Sequence, residues 1–212
     1  MADGKAGFMK MMSKKYEVED LDVQIARHKP ESLDMLCQST NFSRKELQMM
    51  YRGFKQGCPT GIVSWNQFKE IYSEFFPQGD PGKYAKFVFQ TFDTDGDGQI
   101  NFEEFVNGIS TLSRGDLNEK ISWIFKLYDI HNQGQITRDE LINVISAIYE
   151  MMGNSHVVSV ESNQKLIAEH ANYVFEKMDK DKDGIITKSE FLHTCLKDPS
   201  ICQTLHIFDT TF

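Results

Sequence analysis

Four stretches of this chain share one frame, and that frame limits the fold more than any other feature. Aligned on a mid-loop glycine, twelve-residue windows lie at 56–67, 93–104, 129–140 and 179–190, their starts 37, 36 and 50 residues apart. A fixed period of this size marks a repeated supersecondary unit. In each window an aliphatic residue stands two places after the glycine: Val63, Ile100, Ile136 and Ile186.

The windows are flanked by apolar residues at helical spacing. Leu47, Met50, Tyr51 and Phe54 precede the first, and Phe68, Ile71, Tyr72 and Phe75 follow it. Phe102, Phe105, Val106 and Ile109 follow the second, and Leu141, Val144, Ile145 and Ile148 follow the third. Ala171, Val174, Phe175 and Met178 lead into the fourth. Ser43 with Glu46 forms a helix-start signal before the first window. Inside the later windows Asn101, Thr137 and Thr187 are each followed three residues on by Glu104, Glu140 and Glu190, the same capping pattern.

Helix, twelve-residue loop, helix, four times over, is the EF-hand unit. The expected fold is therefore all-α, with four helix-loop-helix units in two lobes and short β-bridges between paired loops. The aliphatics at loop position eight predict the bridges Val63 to Ile100 and Ile136 to Ile186. The expected order is a variable N-terminal segment 1–26, an N-lobe 27–113, a C-lobe 114–198 and a C-terminal helix 199–212. STLSRGDLNE, 110–119, reads as the connecting turn with Gly115 as hinge, and GNSHVVSVESNQ, 153–164, as a surface loop.

Calcium takes six to eight oxygens, and such a loop supplies them from positions 1, 3, 5, a carbonyl at 7, often a water held by 9, and a bidentate Glu at 12. DTDGDGQINFEE fills every place with Asp93, Asp95, Asp97, Gln99 by its backbone, Asn101 and Glu104. DKDKDGIITKSE does the same with Asp179, Asp181, Asp183, Ile185 by its backbone, Thr187 and Glu190. Glycine at position six is expected because a Cβ at the sharp turn would collide. The bidentate Glu in both loops favours calcium over magnesium.

The other two loops depart from the pattern. DIHNQGQITRDE keeps Asp129 and Glu140, offers Gln133 and Gln135, and puts His131 at position three, a poor ligand for a hard cation. Its occupancy stays open on sequence, with a purely structural hand as the alternative. QGCPTGIVSWNQ has Gln56, Cys58 and Thr60 at positions 1, 3 and 5 and Gln67 at 12, so it keeps the frame without the ligands.

A net charge of −8 argues against nonspecific nucleic-acid binding, which rests on neutralising phosphates. The 16 Phe and 10 Met are an unusual soft apolar inventory; such side chains fill cores and also line adaptable binding grooves. Cys37, Cys58, Cys195 and Cys202 form no C-x-x-C pair and read as reduced thiols of a cytoplasmic protein. No apolar run approaches the about 18 residues of a membrane span. Ala2 stands where myristoylation needs glycine and DTTF is no prenylation box, so these lipid anchors are not expected. No nucleophile–base constellation stands out, and no catalysis is expected.

A metal-free first hand carrying CPTG, Cys58 to Gly61, followed by functional later hands resembles the neuronal calcium sensor family. RHKPESLDMLCQSTNFSRKELQMMYRGFKQGCPTGIVSWNQFKEIYSEFFPQGD, 27–80, is similar to its potassium-channel-interacting (KChIP, calsenilin-like) branch. ISWIFKLYDI, 121–130, ISAIYEMMG, 145–153, and FEKMDKDKDGIITKSEFL, 175–192, agree. The resemblance covers about residues 25–212. In members of that branch the second loop is degenerate and the third acid-rich; here the reverse holds, so their metal sites do not carry over wholesale.

The resemblance implies a calcium-binding auxiliary subunit of Shal-type voltage-gated potassium channels, modulating surface expression and inactivation. It would bind the N-terminal helix of the channel in a hydrophobic groove, at the inner face of the plasma membrane through that partner. The residues offered for the groove are Trp65, Phe68, Ile71, Tyr72, Phe75, Phe76 and Phe87, with plain core packing as the alternative for each. ICQTLHIF, 201–208, would be a short amphipathic helix able to cover the second lobe. Self-association stays open. So do two other functions: a calcium-sensor regulator of a kinase or other enzyme, and a calsenilin-like calcium-dependent transcriptional repressor.

Overall fold

The structure, a computed structural model, describes residues 33–153, 160–198 and 200–201. The N-terminal segment 1–26, most of the sequence read as a C-terminal helix, with Leu205 and Phe208, and Cys202 lie outside the described residues.

Nine helices and four short strands follow the repeat in order among the described residues. They are α1 Leu33–Ser39, α2 Arg44–Gly57, β1 Ile62–Ser64, α3 Trp65–Phe75, α4 Gly82–Phe92, β2 Gln99–Asn101 and α5 Phe102–Arg114. The second half gives α6 Leu117–Tyr128, β3 Gln135–Thr137, α7 Arg138–Met151, α8 Val160–Met178, β4 Ile185–Thr187 and α9 Lys188–Lys197. The chain thus has the all-α EF-hand fold. Each strand pair is antiparallel and has the expected register, Val63 opposite Ile100 and Ile136 opposite Ile186. These four aliphatics are at most 2% exposed, which is worth about 1.5–3 kcal/mol for each side chain against leaving it in water.

The expected turn at 110–119 shrinks to Gly115 and Asp116. Helix α5 runs to Arg114 and Asp116 caps α6 at once, its side chain accepting from the Glu119 amide while Glu119 returns to the Asp116 amide. Gly115 has φ −60°, open to any residue, so its backbone needs no glycine. Likewise α8 begins at Val160, inside the stretch read as loop.

Two compact units result, and they do not follow the 27–113 and 114–198 lobes. The first joins the described residues up to Ile71 with Phe92–Gly115; the second joins Tyr72–Thr91 with the chain from Asp116 on. In the first, Phe54 meets Phe102 edge-on at 5.4 Å and Phe105 at 5.3 Å, and Tyr51 meets Phe102 at 5.0 Å. Arg114 closes this unit. Its guanidinium stacks on the Phe42 ring at 4.4 Å, donates to the Asn41 carbonyl at 2.7 Å and pairs with Glu46.

In the second unit Phe191 packs edge-on against Phe125 at 5.6 Å, and Arg138 stacks on Phe175 at 4.3 Å. The segment between α3 and α4 lies against the end of α7. The Asp80 amide donates to the Glu150 carbonyl at 3.0 Å, and Lys83 pairs with the Glu150 carboxylate at 2.8 Å. This approach requires Gly79, where a Cβ would stand 2.2 Å from the Met151 carbonyl oxygen and 2.4 Å from that of Glu150. Joined this way, 72–91 belongs with the second unit although it is sequence of the first two hands.

Two stability predictions follow from these contacts. Gly79→Ala meets backbone atoms that cannot swing aside, so it lowers stability by about 1–3 kcal/mol in denaturant unfolding. Hydrogen bonds from Arg114, then from Ser43, hold the Glu46 carboxyl down at about 2. Because the folded value is depressed, its contribution is complete above about 4.5, the ordinary value, and fades as the pH falls towards about 2. The Tm difference between the native chain and Glu46→Gln is therefore larger at neutral pH than in acid.

Candidate metal centre

All four loops are built on one geometry. The position-six glycines Gly61, Gly98, Gly134 and Gly184 have φ of 87°, 81°, 76° and 88°. At Gly98, Gly134 and Gly184 an added Cβ would meet nothing within 4 Å, so the expected collision is absent. Glycine is required there by the left-handed backbone instead.

In the second loop the side chains of Asp93, Asp95 and Asp97 bring oxygens within 4.8 Å of one another, and Asp179, Asp181 and Asp183 do the same in the fourth. The loop backbone sets this arrangement. The Asp95 carboxylate accepts from the Asp97 amide at 3.1 Å, and Asp97 from the Gln99 amide at 2.8 Å. Asp93 accepts from the Gly98 amide through Oδ2 at 3.0 Å. Its Oδ1 is buried and has no hydrogen-bond partner among the described residues. The fourth loop repeats the pattern: Gly184 donates to Asp179 Oδ2 at 3.2 Å, and Asp179 Oδ1 is buried with no partner among the described residues.

A carboxylate oxygen removed from water without a donor is costly, and a cation among the three aspartates relieves that cost. These two loops therefore fit a divalent ion, with Asp93, Asp95, Asp97, Asn101 and Glu104 as side chains able to hold it, and Asp179, Asp181, Asp183, Thr187 and Glu190 in the other. Gln99 and Ile185 stand at position seven, where the backbone carbonyl serves.

At position twelve the carboxylates serve two ends of the loop. Glu104 Oε2 accepts from the Asn101 amide at 3.0 Å, while Oε1 accepts from the Thr94 amide at 2.8 Å. Glu190 accepts from Thr187 and, at 2.9 Å, from the Lys180 amide. Burial alone would raise the Glu190 carboxyl; hydrogen bonds from Thr187, Lys180 and Asp181 outweigh it and hold the group ionised, below its ordinary value.

The third loop is satisfied without a cation. Its position-three residue, His131, has no carboxylate to receive the Gln133 amide, which donates to Asp129 Oδ1 at 2.8 Å instead. The Gly134 amide takes Oδ2 at 2.7 Å, so both Asp129 oxygens are engaged. His131 Nδ1 lies 2.8 Å from Glu140 Oε1. Burial would raise the Glu140 carboxyl, but Thr137 and His131 outweigh it and keep it ionised, so the ring nitrogen is the donor. One substitution thus removes an acceptor and occupies the position-twelve carboxylate.

The first loop closes by other means. Cys58, at position three, is fully buried, and burial pushes its thiol up to about 11, so it stays neutral. The Lys55 ammonium donates to the Pro59 carbonyl. Gln67 Oε1 accepts from the Ser64 amide and hydroxyl, both at 3.0 Å. That is a helix-start cap with an amide in place of the carboxylate. Ser64 three residues before Gln67 is the sequence signal that marks this cap.

The residues expected to form a groove divide. Phe68, Ile71 and Tyr72 are at most 4% exposed and belong to cores, Phe68 in the first unit and Tyr72 in the second. They cannot line an open groove, because helical spacing placed them inward. Tyr72 stacks with Phe76 at 5.4 Å and lies 6.3 Å from Tyr84. Trp65, Phe75, Phe76 and Phe87 are half-buried.

Comparison with known families agrees with these loops. An EF-hand domain pair matches residues 118–196, and an EF hand domain matches residues 84–112. The chain thus carries EF-hand domains, whose loops are built to hold a divalent metal. The matched spans contain the second, third and fourth windows.

Calorimetric titration of the full chain should give two calcium sites, with Asp93→Asn and Asp179→Asn each leaving one. His131→Asp restores the missing acceptor and releases Glu140, and should raise the count to three. A native third site, or two sites surviving Asp93→Asn, would overturn this assignment.

Proposed function

We propose that this chain is a calcium-sensing auxiliary subunit of Shal-type voltage-gated potassium channels. Calcium binds loops two and four. The N-terminal helix of the channel is the partner, and the protein acts at the inner face of the plasma membrane through it. Surface expression and inactivation of the channel are what it modulates.

One observation carries the reading. The loop of hand one, 56–67, carries no carboxylate yet keeps its strand pair, with Val63 2% exposed opposite Ile100, and its Ser64–Gln67 cap. A hand preserved for shape and not for metal supports a role in holding a partner. CPTG at Cys58–Gly61 and the similarity of 27–80 to the channel-interacting branch favour a channel helix as that partner. Phe75, Phe76 and Phe87, half-buried in the second unit, are aromatic side chains of the kind that receive an amphipathic helix.

Pull-down with the N-terminal peptide of a Shal-type channel tests the reading. Retention of the peptide is expected, with calcium changing its strength. No retention with or without calcium rejects the channel as partner and returns the kinase-regulator and transcriptional-repressor readings.

A further inference from the structure

A pocket chemically different from the cation loops lies in the fourth hand. It has a volume of about 350 Å³ and is lined by Lys177, Lys180, His193, Thr194, Lys197, Asp198 and Ile201. Its lysines come from three separate segments: the last turn of α8, loop four and the last turn of α9. Three lysines less one aspartate leave +2 around this pocket, in a chain whose net charge is −8.

Helix dipoles account for part of this. Lys177 and Lys197 sit in last turns, where cations are favoured. They do not account for Lys180, which stands at loop position two outside any helix. Nor do they account for Thr194. This residue is 3% exposed and lines the pocket, and its hydroxyl is buried without a hydrogen-bond partner in the described structure. A helical threonine can satisfy its hydroxyl by bonding back to the preceding turn; this one does not. The acid of the pocket is already engaged, Asp198 accepting from the Ser200 hydroxyl at 2.5 Å and amide at 3.1 Å.

We propose that this pocket binds a phosphate-bearing anion of inositol phosphate size, with Lys177, Lys180 and Lys197 supplying charge and the Thr194 hydroxyl donating to a phosphate oxygen. The volume suits a small polar headgroup. The site is coupled to the cation loop beside it. The Lys180 amide is bonded to Glu190, the last ligand of loop four, and Lys180 follows Asp179, the first. A divalent cation there adds positive charge next to the pocket, so anion and cation each strengthen the binding of the other. The proposal does not depend on the channel reading, and only its coupling depends on loop four.

The test titrates the full chain with inositol trisphosphate, with inorganic phosphate, and with phosphatidylcholine vesicles carrying either phosphatidylinositol bisphosphate or phosphatidylserine. Saturable binding of the trisphosphate is expected, weakened about tenfold or more by Lys197→Glu and by Lys177→Glu. Thr194→Val should weaken it severalfold without lowering Tm, since an unpartnered hydroxyl is being removed. Equal binding to bisphosphate vesicles identifies a lipid headgroup as a source, and binding of the free trisphosphate alone identifies a soluble one. Indifference to all three variants, equal binding to phosphatidylserine vesicles, or no saturable binding would overturn the site. Calcium titration of the same variants separates the two claims: loop four keeps its ion when the pocket fails, and Asp179→Asn removes only the calcium dependence of anion binding.

Discussion

The side chain at loop position twelve is the hinge on which each hand depends. In all four it reaches back to the amide of position nine, at 3.0 Å from Ser64, 3.0 Å from Asn101, 2.8 Å from Thr137 and 2.9 Å from Thr187. That bond satisfies an orphan amide at the start of the outgoing helix. It also fixes the strand that ends there, and with it the aliphatic at position eight, in register with its neighbour. Nothing in this task requires a negative charge. Gln67 performs it with an amide oxygen, which is why the first hand stays folded with no ligand for a metal.

The sequence made this framework legible because each part of it is local. A glycine, an aliphatic two places on and a cap across three residues are read without knowing any long-range contact. The strand registers and the helices on either side of each loop followed from them. What failed was reading that needed the third dimension. Phe68, Ile71 and Tyr72 share helical spacing with any groove-lining set, and spacing alone cannot say whether a neighbour covers them. The attachment of 72–91 to the second unit rests on Gly79 and Glu150 meeting across about 70 residues, which no local pattern announces. The turn at 110–119 is shorter than its polar residues suggest, because Asp116 and Glu119 carry the same capping signal as the loops.

Loop three shows how one residue can decide a site through geometry that composition hides. Counting ligands left it open, since two carboxylates and an amide oxygen remain. The decisive fact is where the Gln133 amide goes once position three no longer accepts it. It turns to Asp129, so the oxygen that is unpartnered in Asp93 and Asp179 is satisfied here. His131 then completes the closure on Glu140. The buried orphan oxygen, not the number of acids, separates the loops that call for a cation from the one that does not.

The outcome is an asymmetry repeated in both strand pairs. Loop two is bridged to a loop with no ligands, and loop four to one closed by its own hydrogen bonds. Where both loops of a pair bind ions, the first ion helps to order the bridge for the second, and binding is cooperative. Here the partner of each cation loop is held without an ion, by Ser64–Gln67 in one pair and by His131–Glu140 in the other. Its strand is already in place, so the cation loop is ordered from one side before any ion arrives. That lowers the entropy to be lost on binding and removes the coupling between neighbouring loops. Each pair is then a fixed half joined to a half able to take a divalent ion, and any response to such an ion falls to loops two and four.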